Sequence, residues 1–280
     1  YIINSSVGTA LDNFKEELSK DPEYEDALIS KEVAVENVEE NTLLVIVDTH
    51  KKNYVESPEL LEKTKKIVII DHHRRSADYI EDATLTFQEV YASSAAELVT
   101  ELLQYTDTKV VLKTIEAESL YAGIMMDTKN FTFKTGVRTF EAAAYLRKCG
   151  VDIIRVKKWF QSDLMSFNKI AAIVKSAEIV NGSVAIAINP KKEKDTSIVC
   201  AKAADELLTI SDITASFVLG DMGDKICISG RSIGDVNVQV ILEKLGGGGH
   251  ITLAGAQVEG KTIEEVKQEL IMCISDYFAS

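Results

Sequence analysis

Two continuous apolar runs in the first third of the chain each lead into polar side chains. The segments NTLLVIVDTHK (41–51) and KKIVIIDHH (65–73) have the length of a strand, and an aspartate and at least one histidine follow each apolar run. Unbroken apolar runs are typical of parallel strands that helices cover on both faces. Because parallel strands end at one edge of a sheet, we expect Asp48, Asp71 and His72 to lie close together there.

Helical patterns alternate with these runs. The segment ASSAAELVTELLQY (92–105) has a serine cap and apolar residues at helical spacing, and TIEAESLYAGIMMDT (114–128) predicts a second helix that runs toward Asp127. The segment RTFEAAAYLRKCGVD (138–152) predicts a third helix, with Gly150 as its stop. Strands that alternate with helices indicate an α/β domain with a parallel sheet.

The pattern changes in the second half of the chain. The segment SAEIVNGSVAIAI (176–188) contains an Asn-Gly hairpin signal, and ASFVLGDMGDKICISGRS (215–232) predicts two strands around a Gly-Asp turn. We therefore predict an α/β fold in which a parallel-sheet domain (1–155) is joined by a helical linker (156–176) to a smaller α+β C-terminal domain (177–280).

Composition narrows the class of protein. The 280 residues are 46% hydrophobic and 27% charged, which is typical of a globular protein with room for two cores. No apolar run approaches the roughly 18–20 residues of a membrane-spanning helix, so we expect nothing in this chain to enter a membrane. The four cysteines form no CxxC pair, which favours buried thiols in the cytoplasm over a disulfide or a zinc site. The formal net charge of −13 disfavours a broad nucleic-acid-binding surface.

The chain has four histidines, and each lies in a polar cluster at the end of a predicted element or in a glycine-rich loop: His50, His72, His73 and His250. A lone histidine is more often structural than functional, but four in such positions favour a site. Carboxylate and imidazole groups together are ligands for Mn²⁺, Zn²⁺ or Fe²⁺. The pattern therefore indicates a hydrolytic metal centre.

Five motifs, in this order along the chain, resemble the DHH phosphoesterase superfamily with its DHH-associated C-terminal domain: VDTHK (47–51), DHH (71–73), MMDTKNFTF (125–133), GRS (230–232) and GGGGH (246–250). Within that superfamily the chain is most similar to the GdpP-type cyclic-di-AMP phosphodiesterases. The branch of nanoRNases, which degrade short oligonucleotides, is similar but less close.

The resemblance implies a catalytic group of five residues. Asp48, His72 and Asp127 would bind metal, and the complete protein would hold two Mn²⁺ ions that activate a water for attack on phosphorus. His73 would contact the scissile phosphate or make a supporting hydrogen bond, and Asp71 would orient the histidines.

One expected motif is not in the sequence. The superfamily's first motif, HxxxDxD, supplies further metal ligands, and we expect it upstream of Tyr1. The first residues, YIINSS, predict a short strand that enters a turn.

The resemblance also implies that the C-terminal domain binds substrate. Successive glycines let a ligand approach the backbone amides, and an arginine fork suits phosphate or base recognition. The alternative for the glycines is a flexible loop before a helix, and Asp205 and Glu206 are interpreted as a solvated helix surface. The expected substrate-binding residues are His73, Arg231, Asn237, Gly247, Gly248, Gly249 and His250.

These observations predict a metal-dependent phosphodiesterase that opens cyclic di-AMP to 5′-pApA. The alternatives are a nanoRNase-type hydrolase of short linear oligonucleotides and a nucleotide-binding module without turnover. The expected partners are cyclic di-AMP or a linear dinucleotide and a second copy of the chain, with no large nucleic acid. We expect this to be the cytoplasmic catalytic portion of a protein that reaches the membrane only through segments outside these residues.

Overall fold

The computed structural model describes residues 9–106, 110–193 and 195–279. The chain divides into two compact units, Tyr1–Gln161 and Ser162–Ser280. The first contains a parallel sheet and the second a mixed sheet, so the predicted fold class is confirmed.

Two sequence expectations are left open by this division. The predicted boundaries at residues 155 and 177 stay predictions, and the strand predicted for YIINSS lies outside the described residues. Among the described helices, none is both long enough and apolar enough to cross a membrane.

The sheet of the first unit has three parallel strands in the order β1-β2-β3. They are β1 (Leu43–Val47), β2 (Lys66–Asp71) and β3 (Leu85–Gln88). One face of β1 and β2 is buried around Ile69. On the other face α3 packs against β2, while the apolar side chains of β1 stay exposed. Within the described ranges, the expectation that helices cover both faces of the sheet is therefore wrong at β1.

Helices and short 3₁₀ turns surround this sheet. Ser94 begins α3 by accepting a hydrogen bond from the backbone N–H of Glu97 at 3.1 Å, and Gly150, with φ 103°, follows α5. The 3₁₀ turns are Pro22–Tyr24, Lys52–Tyr54 and Pro58–Glu62. The helices are α1 (Thr9–Leu18), α2 (Lys31–Asn37), α3 (Ala95–Tyr105), α4 (Thr114–Asp127), α5 (Val137–Lys148) and α6 (Ile153–Trp159).

The second unit has a six-stranded sheet in the order β4-β5-β6-β7-β9-β8, in which only β5 and β6 are parallel. Its strands are β4 (Glu178–Val180), β5 (Val184–Asn189), β6 (Ala215–Asp221), β7 (Lys225–Ser232), β8 (Gly248–His250) and β9 (Leu253–Glu259). Its helices are α7 (Leu164–Lys175), α8 (Thr196–Leu207), α9 (Val238–Glu243) and α10 (Ile263–Ala279). The predicted hairpin turns at Asn181–Gly182 and Gly223 contain positive φ angles.

Alternating side chains of the second sheet enter two cores. Phe217 and Ile228 belong to the core with α9 and α10, whereas Val218 and Cys227 belong to the core with α7 and α8. Such alternation follows from the period of two along a strand. Helices therefore pack on both faces of this sheet.

Candidate functional site

The first polar cluster lies where β1 and β2 end. Asp48 follows β1 and donates its backbone N–H to the Ile70 carbonyl at 2.9 Å, so it continues the pairing of the two strands. Its φ of 67° is left-handed, which turns the chain away from the strand direction. Aspartate adopts this conformation more readily than most residues.

His72 lies between two carboxylates. Its Nε2 atom is 3.2 Å from Asp48 Oδ1 and 3.8 Å from an oxygen of Asp127, the last residue of α4. Its other ring nitrogen, Nδ1, is 3.4 Å from the Ala92 carbonyl. Because a carbonyl only accepts, the proton lies on Nδ1 in the neutral ring and Nε2 presents a lone pair to the carboxylates.

Burial and neighbouring charges shift the pKa values of His72 and Asp127. Burial disfavours the charged form of His72, but the charges of Asp48 and Asp127 outweigh it and raise its pKa. Burial and the charge of Asp48 raise the pKa of Asp127. A bound cation would relieve this repulsion between the two carboxylates.

The donor set fits a divalent ion. Two ligands that each lie about 2.1 Å from one ion, at right angles, are about 3.0 Å apart, which is close to the separation of Asp48 and His72. Asp48, His72 and His73 offer ligand-type atoms within 4.8 Å of one another. Oxygen and imidazole donors together suit Mn²⁺, Fe²⁺ or Zn²⁺.

Asp71 is fully buried behind this cluster. Its Oδ1 accepts hydrogen bonds from Nδ1 of His73 at 2.7 Å and from the His73 backbone N–H at 3.2 Å, and its Oδ2 contacts Nδ1 of His50. Burial opposes ionisation of Asp71, but the hydrogen bonds from His73 and His50 outweigh it and hold the pKa of this carboxyl well below its usual range. Asp71 is therefore ionised and holds both His50 and His73 in place through hydrogen bonds.

His50, one of the four histidines in polar clusters, also contacts Asp71, although it was not among the expected site residues. Its Nε2 atom accepts a hydrogen bond from the Ser76 backbone N–H at 3.0 Å, so in the neutral ring the proton lies on Nδ1 and is donated to Asp71. His50 therefore connects the end of β1 to Asp71 and to the loop that follows the DHH motif. In the sequence, the indication that His50 belongs to the site was its position two residues after Asp48, at the end of the same strand.

In the second unit, Arg231 of β7 is nearly buried. Its Nε donates to Oδ1 of Asp205 on α8 at 3.1 Å, and its Nη1 donates to the Gly230 carbonyl at 3.0 Å. Asp205, interpreted from the sequence as a solvated surface residue, keeps 39% of its side chain exposed and also pairs with this guanidinium. Its neighbour Glu206 is exposed.

The side chain of Asn237 begins α9, since its Oδ1 accepts from the backbone N–H groups of Gln239 and Val240 at 3.1 and 3.3 Å. The glycine run follows α9, and Gly248–His250 forms β8, which pairs with β9. A flexible loop before a helix is therefore the wrong alternative for these glycines. His250 is exposed at the end of β8.

Comparison with known proteins identifies the family. Residues 3–124 match the DHH family, N-terminal domain, and residues 179–278 match the DHHA1 domain. The chain belongs to the DHH family, as its motifs predicted.

Two relatives are similar to this chain in sequence, and one solved structure is similar in fold. The cyclic-di-AMP phosphodiesterase GdpP of Geobacillus thermodenitrificans is 46% identical over 264 residues, which cover 94% of this chain and 40% of the relative. The bifunctional oligoribonuclease and PAP phosphatase NrnA of Mycoplasma genitalium is 30% identical over 226 residues, which cover 78% of this chain and 70% of the relative. An exopolyphosphatase-related protein from Bacteroides fragilis has the same fold, with a TM-score of 0.81 at 19% identity over 94% of this chain and 80% of that one. The chain thus spans about 40% of the length of the GdpP protein that it matches.

Proposed function

We propose that this chain is the catalytic portion of a divalent-metal-dependent phosphodiesterase that opens cyclic di-AMP to 5′-pApA. The observation that carries the proposal is the convergence of Asp48, His72 and Asp127, with the two carboxylates 3.2 and 3.8 Å from one imidazole nitrogen. The similarity to GdpP supports the choice of a cyclic dinucleotide as substrate.

In this mechanism Asp48, His72 and Asp127 hold metal, and Mn²⁺ is the ion that we propose. Two bound divalent ions would activate a water and neutralise charge on the phosphoryl oxygens. The hydrogen bond to Asp71 keeps a proton on Nδ1 of His73. The other ring nitrogen, Nε2, is then the one that can contact the substrate. When this ring is protonated, Nε2 donates to a phosphate oxygen and so stabilises the charge that develops there.

In this proposal the second unit binds the nucleotide. Arg231 and His250 would hold the substrate, together with Asn237 and Gly247–Gly249. We also propose that the chain acts as a homodimer and belongs to a membrane-anchored protein with its catalytic portion in the cytoplasm. Sedimentation and fractionation of the full-length protein test these two statements.

Hydrolysis by the full-length protein is the direct test. Purified protein with Mn²⁺ should convert cyclic di-AMP to 5′-pApA, as followed by chromatography, and a chelator should stop the reaction. The matched control is Asp127→Asn, which keeps the size of the side chain but removes the anionic ligand. If the parent protein consumed no cyclic di-AMP over hours with metal present, the proposal would be wrong.

The similarity to NrnA over 70% of its length favours a second candidate, hydrolysis of short linear oligonucleotides. The ratio of kcat/KM for the cyclic and linear dinucleotides separates the two activities. A nucleotide-binding module without turnover would instead bind cyclic di-AMP in calorimetry with or without Mn²⁺ and give no product.

A further inference from the structure

The segment between β3 and α3 contacts two residues of the DHH motif. At its start, the backbone N–H of Glu89 donates to the Asp71 carbonyl at 3.1 Å, which continues the pairing of β3 with β2. Farther along, the Ala92 carbonyl accepts from Nδ1 of His72 at 3.4 Å. The position of this segment therefore decides where His72 finds a hydrogen-bond acceptor.

The Ala92 carbonyl determines which nitrogen of His72 can bind a metal ion. Because a carbonyl only accepts, the proton of the neutral ring lies on Nδ1, and Nε2 carries the lone pair that can bind a cation. Such a partner fixes the tautomer and the direction of a metal-binding imidazole, and its loss typically lowers metal affinity by about 10- to 100-fold. At 3.4 Å the contact is already long, so a small movement of the carbonyl would break it. A residue that holds Ala92 in place therefore acts on the metal site.

The carboxylate of Glu97 holds the residue that follows Ala92. Its Oε2 accepts from the backbone N–H of Ser93 at 3.2 Å and from the Ser93 hydroxyl at 2.5 Å. Glu97 and Ser93 are each only 1% exposed. A buried carboxylate is costly unless hydrogen bonds compensate it, and its place in the first turn of α3 reduces that cost because a helix N-terminus favours an anion. Two hydrogen bonds therefore fasten the end of the segment to α3.

Helix capping alone does not account for this arrangement. In a capping box, the glutamate at the third helical position accepts from the backbone N–H of the capping residue. The capping residue of α3 is Ser94, whose hydroxyl accepts from the Glu97 backbone N–H at 3.1 Å. The Glu97 carboxylate instead accepts from Ser93, one residue earlier and next to Ala92. Its hydrogen bonds are thus displaced from the helix end toward the residue that contacts His72.

We propose that Glu97 is a positioning residue for His72. By holding Ser93, it keeps the Ala92 carbonyl where that carbonyl accepts the Nδ1 proton, and Nε2 then presents its lone pair to a bound metal ion. In this role Glu97 touches neither metal nor substrate. The consequence for metal binding rests on the proposed function, whereas the tautomer of His72 is a property of the chain itself.

Substitution of Glu97 in the full-length protein tests this role. Glu97→Leu removes the acceptor and should lower the affinity for Mn²⁺, measured by calorimetry, by about 10- to 100-fold. Glu97→Gln keeps an acceptor oxygen for Ser93 and should recover most of that affinity. Glu101→Gln is the matched control on the same helix, because that carboxylate pairs with Arg138 at 2.5 Å and not with the segment that contacts the DHH motif. This control should bind Mn²⁺ like the parent.

The tautomer of His72 gives a second measurement that needs no metal. The ¹⁵N chemical shifts of its ring, in metal-free protein at a pH where the ring is neutral, should show the proton on Nδ1 in the parent and in Glu97→Gln. Glu97→Leu should show a mixture of the two tautomers. Ser93→Ala removes the hydroxyl but keeps the backbone hydrogen bond, so it should change both measurements in the same direction and by less. It provides the test if Glu97→Leu does not fold.

The outcomes separate positioning from folding and from the proposed function. If Glu97→Leu had a lower unfolding midpoint but kept the Mn²⁺ affinity and the His72 tautomer of the parent, Glu97 would be a structural residue and the proposal would be wrong, even with a parent that cleaves cyclic di-AMP. If the parent bound Mn²⁺, lost affinity on substitution and cleaved no cyclic di-AMP, the positioning role would stand and the phosphodiesterase would not. If the parent bound no Mn²⁺, the proposed metal site would be wrong, and the tautomer alone would decide whether Glu97 positions His72.

Discussion

The two ring nitrogens of His50 make different hydrogen bonds, which can be removed separately. Its Nδ1 donates to the buried carboxylate of Asp71, and its Nε2 accepts from the backbone N–H of Ser76. The amide of asparagine can occupy the position of Nδ1, whereas that of glutamine reaches the position of Nε2. His50→Asn should therefore keep the contact with Asp71 and lose the one with Ser76, and His50→Gln should do the reverse.

The two losses differ in size because only one involves a charge. A hydrogen bond to an ionised group contributes about 1.5–3 kcal/mol, and one between neutral groups about 0.5–1.5 kcal/mol. At about 2–4 °C per kcal/mol, His50→Gln should lower the unfolding midpoint by about 3–12 °C, and His50→Asn by about 1–6 °C. Asp71 also anchors His73, so His50→Gln should lower kcat for the proposed reaction by about tenfold or more, with His50→Asn closer to the parent.

Thermal unfolding and steady-state kinetics of both variants check this ordering. The ¹⁵N chemical shifts of the His50 ring in the parent protein should show a neutral imidazole with its proton on Nδ1. The reasoning would be refuted if His50→Gln were as stable and as active as the parent while His50→Asn was impaired. That result would mean that stability and activity depend on the contact of His50 with Ser76 and not on its contact with Asp71.

Three further substitutions test other parts of the structure. Burial raises the pKa of Glu118 more than the charge of Arg155 lowers it, so the stability that Glu118 contributes is present at low pH and lost as the pH rises through its ionisation. Glu118→Gln should therefore melt above the parent at neutral pH, and thermal scans at a series of pH values should show the difference shrinking as the pH falls toward the ordinary pKa of 4.5. Gly220→Ala would place a Cβ 2.5 Å from a methyl of Thr196 and should cost about 1–3 kcal/mol in urea unfolding, so an unchanged midpoint would contradict the packing. Asp48→Asn replaces an anionic oxygen with a neutral amide and should lower Mn²⁺ affinity at least about tenfold in calorimetry, and an equal affinity would remove Asp48 from the ligand set.

The location of the first polar cluster was predictable from the hydrophobic pattern. Apolar runs of strand length identified β1 and β2, and parallel strands bring their carboxyl ends to one edge. Asp48 and His72 follow those ends directly, so their separation of 3.2 Å agrees with the expectation that they lie close together. The approach of Asp127 required the motif resemblance, because a helix pattern alone does not say which strand end a helix meets.

Pairings between distant elements were not predictable in this way. Asp205 lies on a helix and Arg231 on a strand, 26 residues apart, and their contact depends on how α8 packs on the sheet. A charged residue on the polar side of a helix has the same sequence pattern whether it faces solvent or a partner. The hydrogen bond between His50 and Asp71 has the same origin, since it depends on the short distance between the ends of β1 and β2.

The glycine run shows the same limit within a single motif. In the sequence its four glycines are equivalent, and a general argument about backbone freedom applies to all of them. In the structure, Gly246 and Gly249 have positive φ angles and Gly247 packs against a carbonyl oxygen, so the fold itself requires these three. Gly248 meets neither condition, and the glycine opposite it, Gly255, belongs to no motif that the sequence singled out. An alanine at Gly248 would therefore meet neither a clash nor a strained φ, so packing gives no reason for glycine at this position. Thermal unfolding of Gly247→Ala and Gly248→Ala tests this distinction, because only the first substitution places a Cβ against a carbonyl oxygen and should lower the midpoint.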